Sequence, residues 1–147
     1  MLVERSIEML TPQRVEELWV YLDPMLQKSC DGNEISQESL SPKDIHDLAV
    51  SGMCAVFVGF EDKLPECVLV IQFIMEGTRK GVEILALNGK NLTAFKNNYW
   101  EIILEWFAAN GVKFVDACVA PEWANVYKKR FGFKRSCSLV RMLIEEK

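Results

Sequence analysis

The sequence predicts an α+β domain: a mixed, mostly antiparallel central sheet with helices on both faces. Three observations carry this. Helical periodicity dominates residues 12–52, three short β-branched runs follow over 53–88, and a long amphipathic segment separates the third run from a fourth. Consecutive runs joined by short turns make an antiparallel meander. A helix between two strands of one sheet implies instead a parallel, right-handed crossover. With 147 residues, half of them hydrophobic, the chain is sized for one domain spanning 1–147.

Taken in order, "LVERSIEML" (2–10) reads as an opening strand. Thr11-Pro12 form an N-cap with proline in the first turn. Val15, Leu18, Trp19, Leu22 and Leu26 then recur at helical spacing, and Pro24 is expected to end or kink that helix. "CDGNEISQES" (30–39) is polar and turn-rich, a loop. Ser41, with Asp44 three residues later, signals a second helix whose stripe is Ile45, Leu48 and Ala49, stopped by Gly52.

The strands "MCAVFVGF" (53–60), "CVLVIQFIM" (67–75) and "GVEILALN" (81–88) come next. In "NLTAFKNNYWEIILEWFAAN" (91–110), Phe95, Tyr99, Ile102, Ile103 and Trp106 recur at three- and four-residue steps, and Asn110-Gly111 provide the stop. "VKFVDACV" (112–119) is a strand, Pro121 opens a helix that Gly132 closes, and "SCSLVRMLIE" (136–145) is the final strand.

Composition narrows the function classes. The net charge is −4, against the basic footprint that nucleic-acid binding requires. The most apolar run, 67–75, is too short to span a bilayer, and no signal peptide is expected from the opening residues. Five scattered cysteines without metal-ligand spacing read as free thiols in a reducing, cytoplasmic compartment. The lone histidine, His46, reads as a helix-surface residue, and no metal site is expected. "VYKKRFGFKR" (126–135) is therefore a local basic patch on an acidic protein.

The tail "EWFAANGVKFVDACVAPEWANVYKKRFGFKR" and the order of elements together resemble the GCN5-related N-acetyltransferase fold. Members have a helix ending in a "GV" step, a strand, and a helix closing on "GF" and a basic residue, here Gly132-Phe133-Lys134. On this resemblance 126–135 is a helix-to-strand corner. Phe131 and Phe133 would anchor it in the core, and Lys128, Lys129 and Arg130 would form its rim, where a helix C-terminus favours cations.

The resemblance implies acetyl-CoA in a cleft where two parallel strands splay apart. Its pyrophosphate would lie on backbone amides at a helix N-terminus, an anion site by charge and by unpaired N–H groups. The candidate residues are Leu87, Gly89, Lys90, Asn91, Ala94 and Lys96. The loop is degenerate: where the family shows an arginine and spaced glycines, this chain has Asn91, Leu92, Ala94 and Lys96. Lys90 and Lys96 either replace the lost amide contacts by charge or are solvated lysines.

The resemblance also implies a carboxylate base on the central strand, for which Glu83 is the candidate. Glu83 is read as sharing a face with Leu85 and Leu87, either partly buried or facing water. A family tyrosine four residues before the closing glycine protonates the leaving thiolate; Lys128 stands there, with Tyr127 one place early. One residue is about 100° on a helix, so Tyr127 does not substitute directly. Two functions follow as expectations. One is acetyl transfer from acetyl-CoA to an amine. The other is a non-catalytic protein of the same fold that binds or assembles with a protein partner or its own copies, as in phage virions.

Overall fold

The computed structural model describes residues 2–31, 40–89, 92–117 and 128–134, with single positions 125, 142 and 144. The elements are β1 (Arg5–Met9), α1 (Pro12–Asp31), α2 (Pro42–Val50), β2 (Ala55–Glu61), β3 (Leu64–Glu76), β4 (Arg79–Gly89), α3 (Leu92–Phe95), a π-helical turn (Lys96–Trp100), α4 (Glu101–Ala109) and β5 (Val112–Ala117). Among the described residues the sheet has five strands in the order β1-β2-β3-β4-β5. The first three pairings are antiparallel and β4–β5 is parallel. The expected crossover between 81–88 and 112–119 is therefore present as a parallel pair. The expected strand over 136–145 lies outside the described residues except at 142 and 144.

Each face of the sheet carries its own core. On one face α1 and α2 bury Val15, Leu22, Leu26 and Ile45 against Val58, Val68 and Val70. On the other, Phe95, Tyr99, Ile103 and Phe107 pack on Phe57, Leu69, Ile71, Val82 and Ile84. The strand alternation thus serves two apolar layers, which is why β2 and β3 read as continuous apolar runs.

The hairpin strands are longer than the sequence suggested because the turns are tight. Asp62 and Lys63 take φ of 50° and 69°, the left-handed pair that suits a two-residue hairpin. The cap on α2 forms as expected: Ser41 Oγ accepts from Asp44 N–H at 3.2 Å and Asp44 accepts from Ser41 N–H at 2.9 Å.

Pro24 does not end α1, which continues to Asp31. Of the two expected outcomes, an end or a kink, the end does not occur, because Leu18, Leu22 and Leu26 hold one buried stripe across Pro24. The carbonyl that Pro24 deprives of a donor belongs to Val20, which is 73% exposed, so water can replace the missing bond. Among the described residues no helix is long and apolar enough to cross a membrane.

His46 bridges the two helices on this face. Its Nε2 lies 2.6 Å from Glu16 on α1 and its Nδ1 3.1 Å from Asp47. The ring meets Trp19 edge-on, with centroids 4.7 Å apart. The hydrogen bond to Asp47, and then that to Glu16, raise the His46 pKa above its ordinary value. A raised folded-state pKa gives stability that is complete below the unfolded value of about 6.5 and lost as pH rises through the folded value. Urea midpoints at pH 5.5 and 8.5 should therefore fall for the parent and stay level for His46→Gln. The size is that of an exposed ion pair, at most about 1 kcal/mol.

Candidate active site

Strand β4 builds the site. Its ladder with β3 shifts between Val70–Ala86 and Ile71–Ile84, leaving Leu85 as an extra residue. Such a bulge re-aims the side chains that follow it. Val82 and Ile84 face the α4 core, whereas Leu85 and Ala86 both belong to the α1 core, and Leu87 returns to the α4 side. Glu83 consequently shares a face with Leu85 but not with Leu87. The expectation of a common face is corrected here, because one inserted residue inverts the alternation.

The described β4–β5 pairs run from Lys80–Val112 to Ile84–Ala117, up to the last described residue of β5. Strand β4 itself continues to Gly89. Past Gly89, α3 begins at Leu92. Asn88 ties this end of β4 to the opposite face, donating from Nδ2 to the Met25 carbonyl at 2.6 Å.

Glu83 stands in register with Gln72 on β3 and Asp116 on β5. The two carboxylates are neighbours across the parallel ladder, Glu83 half-buried and Asp116 exposed. Leu87 and Ala94 are half-buried and Lys96 is exposed on the π turn. Lys128 is exposed on the short helical segment that ends at Phe131. That segment docks on the long helix: Phe131 lies 5.3 Å from the Trp100 ring and 6.2 Å from Phe95. Phe131 and Phe133 thus pack against the α4 core as expected, and Gly132 turns the chain with φ of 77°. Lys90, Asn91 and Tyr127 lie outside the described residues; Gly89 is the last residue of β4.

A buried polar cluster behind the loop was not foreseen. The β2–β3 register also shifts, between Gly59–Cys67 and Phe60–Pro65, leaving Glu66 as an extra residue. Glu66 is only 7% exposed. The Tyr99 hydroxyl lies in a very short contact with Glu66 Oε2 and 3.2 Å from the Phe60 carbonyl, and Arg5 Nε lies 3.7 Å from the same carboxylate. Burial first, and then the Glu66 carboxylate, push the Tyr99 phenol well above its ordinary pKa, so it remains a neutral donor.

Gly59 makes room for the ring: a Cβ there would sit 2.7 Å from Tyr99 Cζ and Cys67 Sγ. A glycine inside an apolar strand was the available sequence signal. Burial raises the Cys67 thiol to about 12 and that of Cys54 to about 11. Neither is a nucleophile near neutral pH.

A mixed sheet of five described strands, antiparallel except for the β4–β5 pair and with helices on both faces, matches the acyl-CoA N-acyltransferase type of architecture. The chain has the GCN5-related N-acetyltransferase fold. It is similar to an aminoglycoside acetyltransferase from an uncultured soil metagenomic sample, at 12% identity and a TM-score of 0.69 over 97% of each chain. The aminoglycoside N-acetyltransferase AAC(6')-Iy in complex with CoA superposes with a TM-score of 0.65 at 10% identity, covering 100% of this chain and 97% of that one. For a ribosomal-protein-alanine N-acetyltransferase from Brucella melitensis the TM-score is 0.66 at 7% identity, over 98% and 100% of the two chains. No protein-family model matches the sequence, and neither does any curated protein.

Proposed function

We propose that this protein binds acetyl-CoA between the ends of β4 and β5 and transfers its acetyl group to an amine. One observation carries the reading: β4, which pairs in parallel with β5, is bulged at Leu85 and runs on to Gly89, three residues before α3 begins at Leu92. A β4 amide turned out of the ladder by the bulge would polarise a thioester carbonyl. The start of α3 supplies an anion-binding end for the pyrophosphate. Solved relatives of this fold carry CoA, which agrees with the reading.

The chain's own residues divide the work. Gly89, Asn91 and Ala94 border the pyrophosphate, Leu87 packs along the pantetheine arm, and Lys90 and Lys96 supply charge to the phosphates. Glu83, with Asp116 beside it, draws a cationic amine and takes its proton. Lys128 stands where the family's proton donor would be, with Tyr127 as the neighbouring alternative.

A second reading is binding without turnover, with the fold used for assembly. One observation favours it: Lys128 is exposed and carries no phenol for the leaving thiolate.

Calorimetry with acetyl-CoA tests the first step. At about a hundred times its Kd the ligand should stabilise the fold by roughly 2.7 kcal/mol. No heat and no thermal shift would overturn the cofactor assignment. Thiol release with polyamines, aminoglycosides and peptide amines then separates the two readings, since turnover of any of them excludes the second. The double variant Lys90→Ala, Lys96→Ala should weaken CoA binding by about tenfold or more, roughly 1.4 kcal/mol. Equal affinity for parent and variant would remove the lysines from the site.

A further inference from the structure

Strand β1 lies at the far edge of the sheet from the candidate site. Among the described residues no strand pairs with it on the side away from β2. Leu10 N–H donates to the Val56 carbonyl and Asp62 N–H to the Glu4 carbonyl, both at 2.8 Å. These two bonds bracket the strand, so its even-numbered residues direct their amides and carbonyls at β2. Arg5, Ile7 and Met9 therefore point theirs outward.

The side chains of Ile7 and Met9 face α4. They line a shallow apolar groove with Phe57, Ile102, Ile103 and Trp106. Met9 is 47% exposed and Ile102 51%. Backbone groups with no strand partner among the described residues thus coincide with exposed apolar side chains along one strand.

Edge strands are ordinarily blunted by proline, a bulge or an inward charge. β1 contains no proline and pairs with β2 without a register shift. Its charges are already engaged within the chain. Arg5 lies against Glu66, and Glu8 accepts from Arg14 Nε at 3.3 Å.

We propose that β1 is the pairing edge for a second copy of this chain, antiparallel to it, about a two-fold axis at Ile7. This register sets Ile7 opposite its own copy, Arg5 opposite the copy of Met9 and Ser6 opposite the copy of Glu8. All the outward backbone groups then meet as hydrogen-bonded pairs. The groove residues of both copies merge into one apolar patch, closed over Ile102 of each. Charge selects this register from its neighbours. A two-residue shift one way sets Glu4 opposite the copy of Glu8; the other way sets Glu8 opposite itself. Like charges directly opposite are destabilising, and a one-residue shift would turn the apolar side chains to the wrong face.

Sedimentation velocity over a wide concentration range tests this on the full chain. Ile7→Pro removes an outward amide while sparing the β1–β2 ladder. Ile102→Lys places a charge on an exposed groove position. The parent should be a dimer, and each variant should dissociate with a Kd raised about tenfold or more. Should Ile7→Pro fail to fold, Ile102→Lys decides, with its melting curve as the control for folding. A parent that stays monomeric at every concentration overturns the proposal, even if the edge then accepts a foreign strand. So does an Ile102→Lys variant that dimerises as tightly as the parent.

Discussion

Tyr99→Ala should lower the unfolding free energy by about 3–5 kcal/mol, in the range for removing a buried aromatic ring. The ring is 2% exposed and packs in the α4 core, so its loss leaves a cavity. It also strips the buried Glu66 carboxylate of its hydroxyl donor. Tyr99→Phe separates the two effects. It keeps the ring and removes the bond, for a cost of about 1–3 kcal/mol as a buried acceptor loses its partner. Urea unfolding of both variants against the parent gives the two numbers. If Tyr99→Phe is as stable as the parent, the bond contributes nothing and the link between the π turn and the Glu66 bulge has no energetic meaning.

On the proposed reading, Glu83→Gln should reduce turnover by about 10²–10⁴-fold, the usual contribution of a positioned general base, while leaving acetyl-CoA affinity unchanged. The substitution is nearly isosteric, so the register with Gln72 and Asp116 is kept while the proton acceptor is lost. The measurement is thiol release at saturating acetyl-CoA, with binding of acetyl-CoA as the control. Undiminished turnover would take the base away from Glu83. A loss confined to acetyl-CoA binding would mean that β4 had been distorted instead.

Much of the fold was legible because it rests on local chemistry. The Ser41–Asp44 capping box, the stripe Val15, Leu18, Leu22, Leu26 and the glycine stops at 52, 111 and 132 are short-range instructions, and all of them are realised. The strand-helix-strand order likewise implied the parallel β4–β5 pair. The candidate site was legible only in part. Glu83 and Lys96 were marked by type and place, but their faces depended on features without a local signature.

The sequence by itself determined the periodicities, the caps, the order of elements and hence the two-faced mixed sheet. Those depend on residues within a few positions of one another. Tertiary structure alone decided the bulges at Leu85 and Glu66, the π turn at Lys96–Trp100 and the passage of α1 through Pro24. Each adjusts the chain by a single residue or a single hydrogen bond, to satisfy partners far away in sequence. Tyr99 reaches Glu66 across 33 positions and Asn88 reaches Met25 across 63. No local preference encodes such an adjustment, because its benefit exists only once the distant partner is in place.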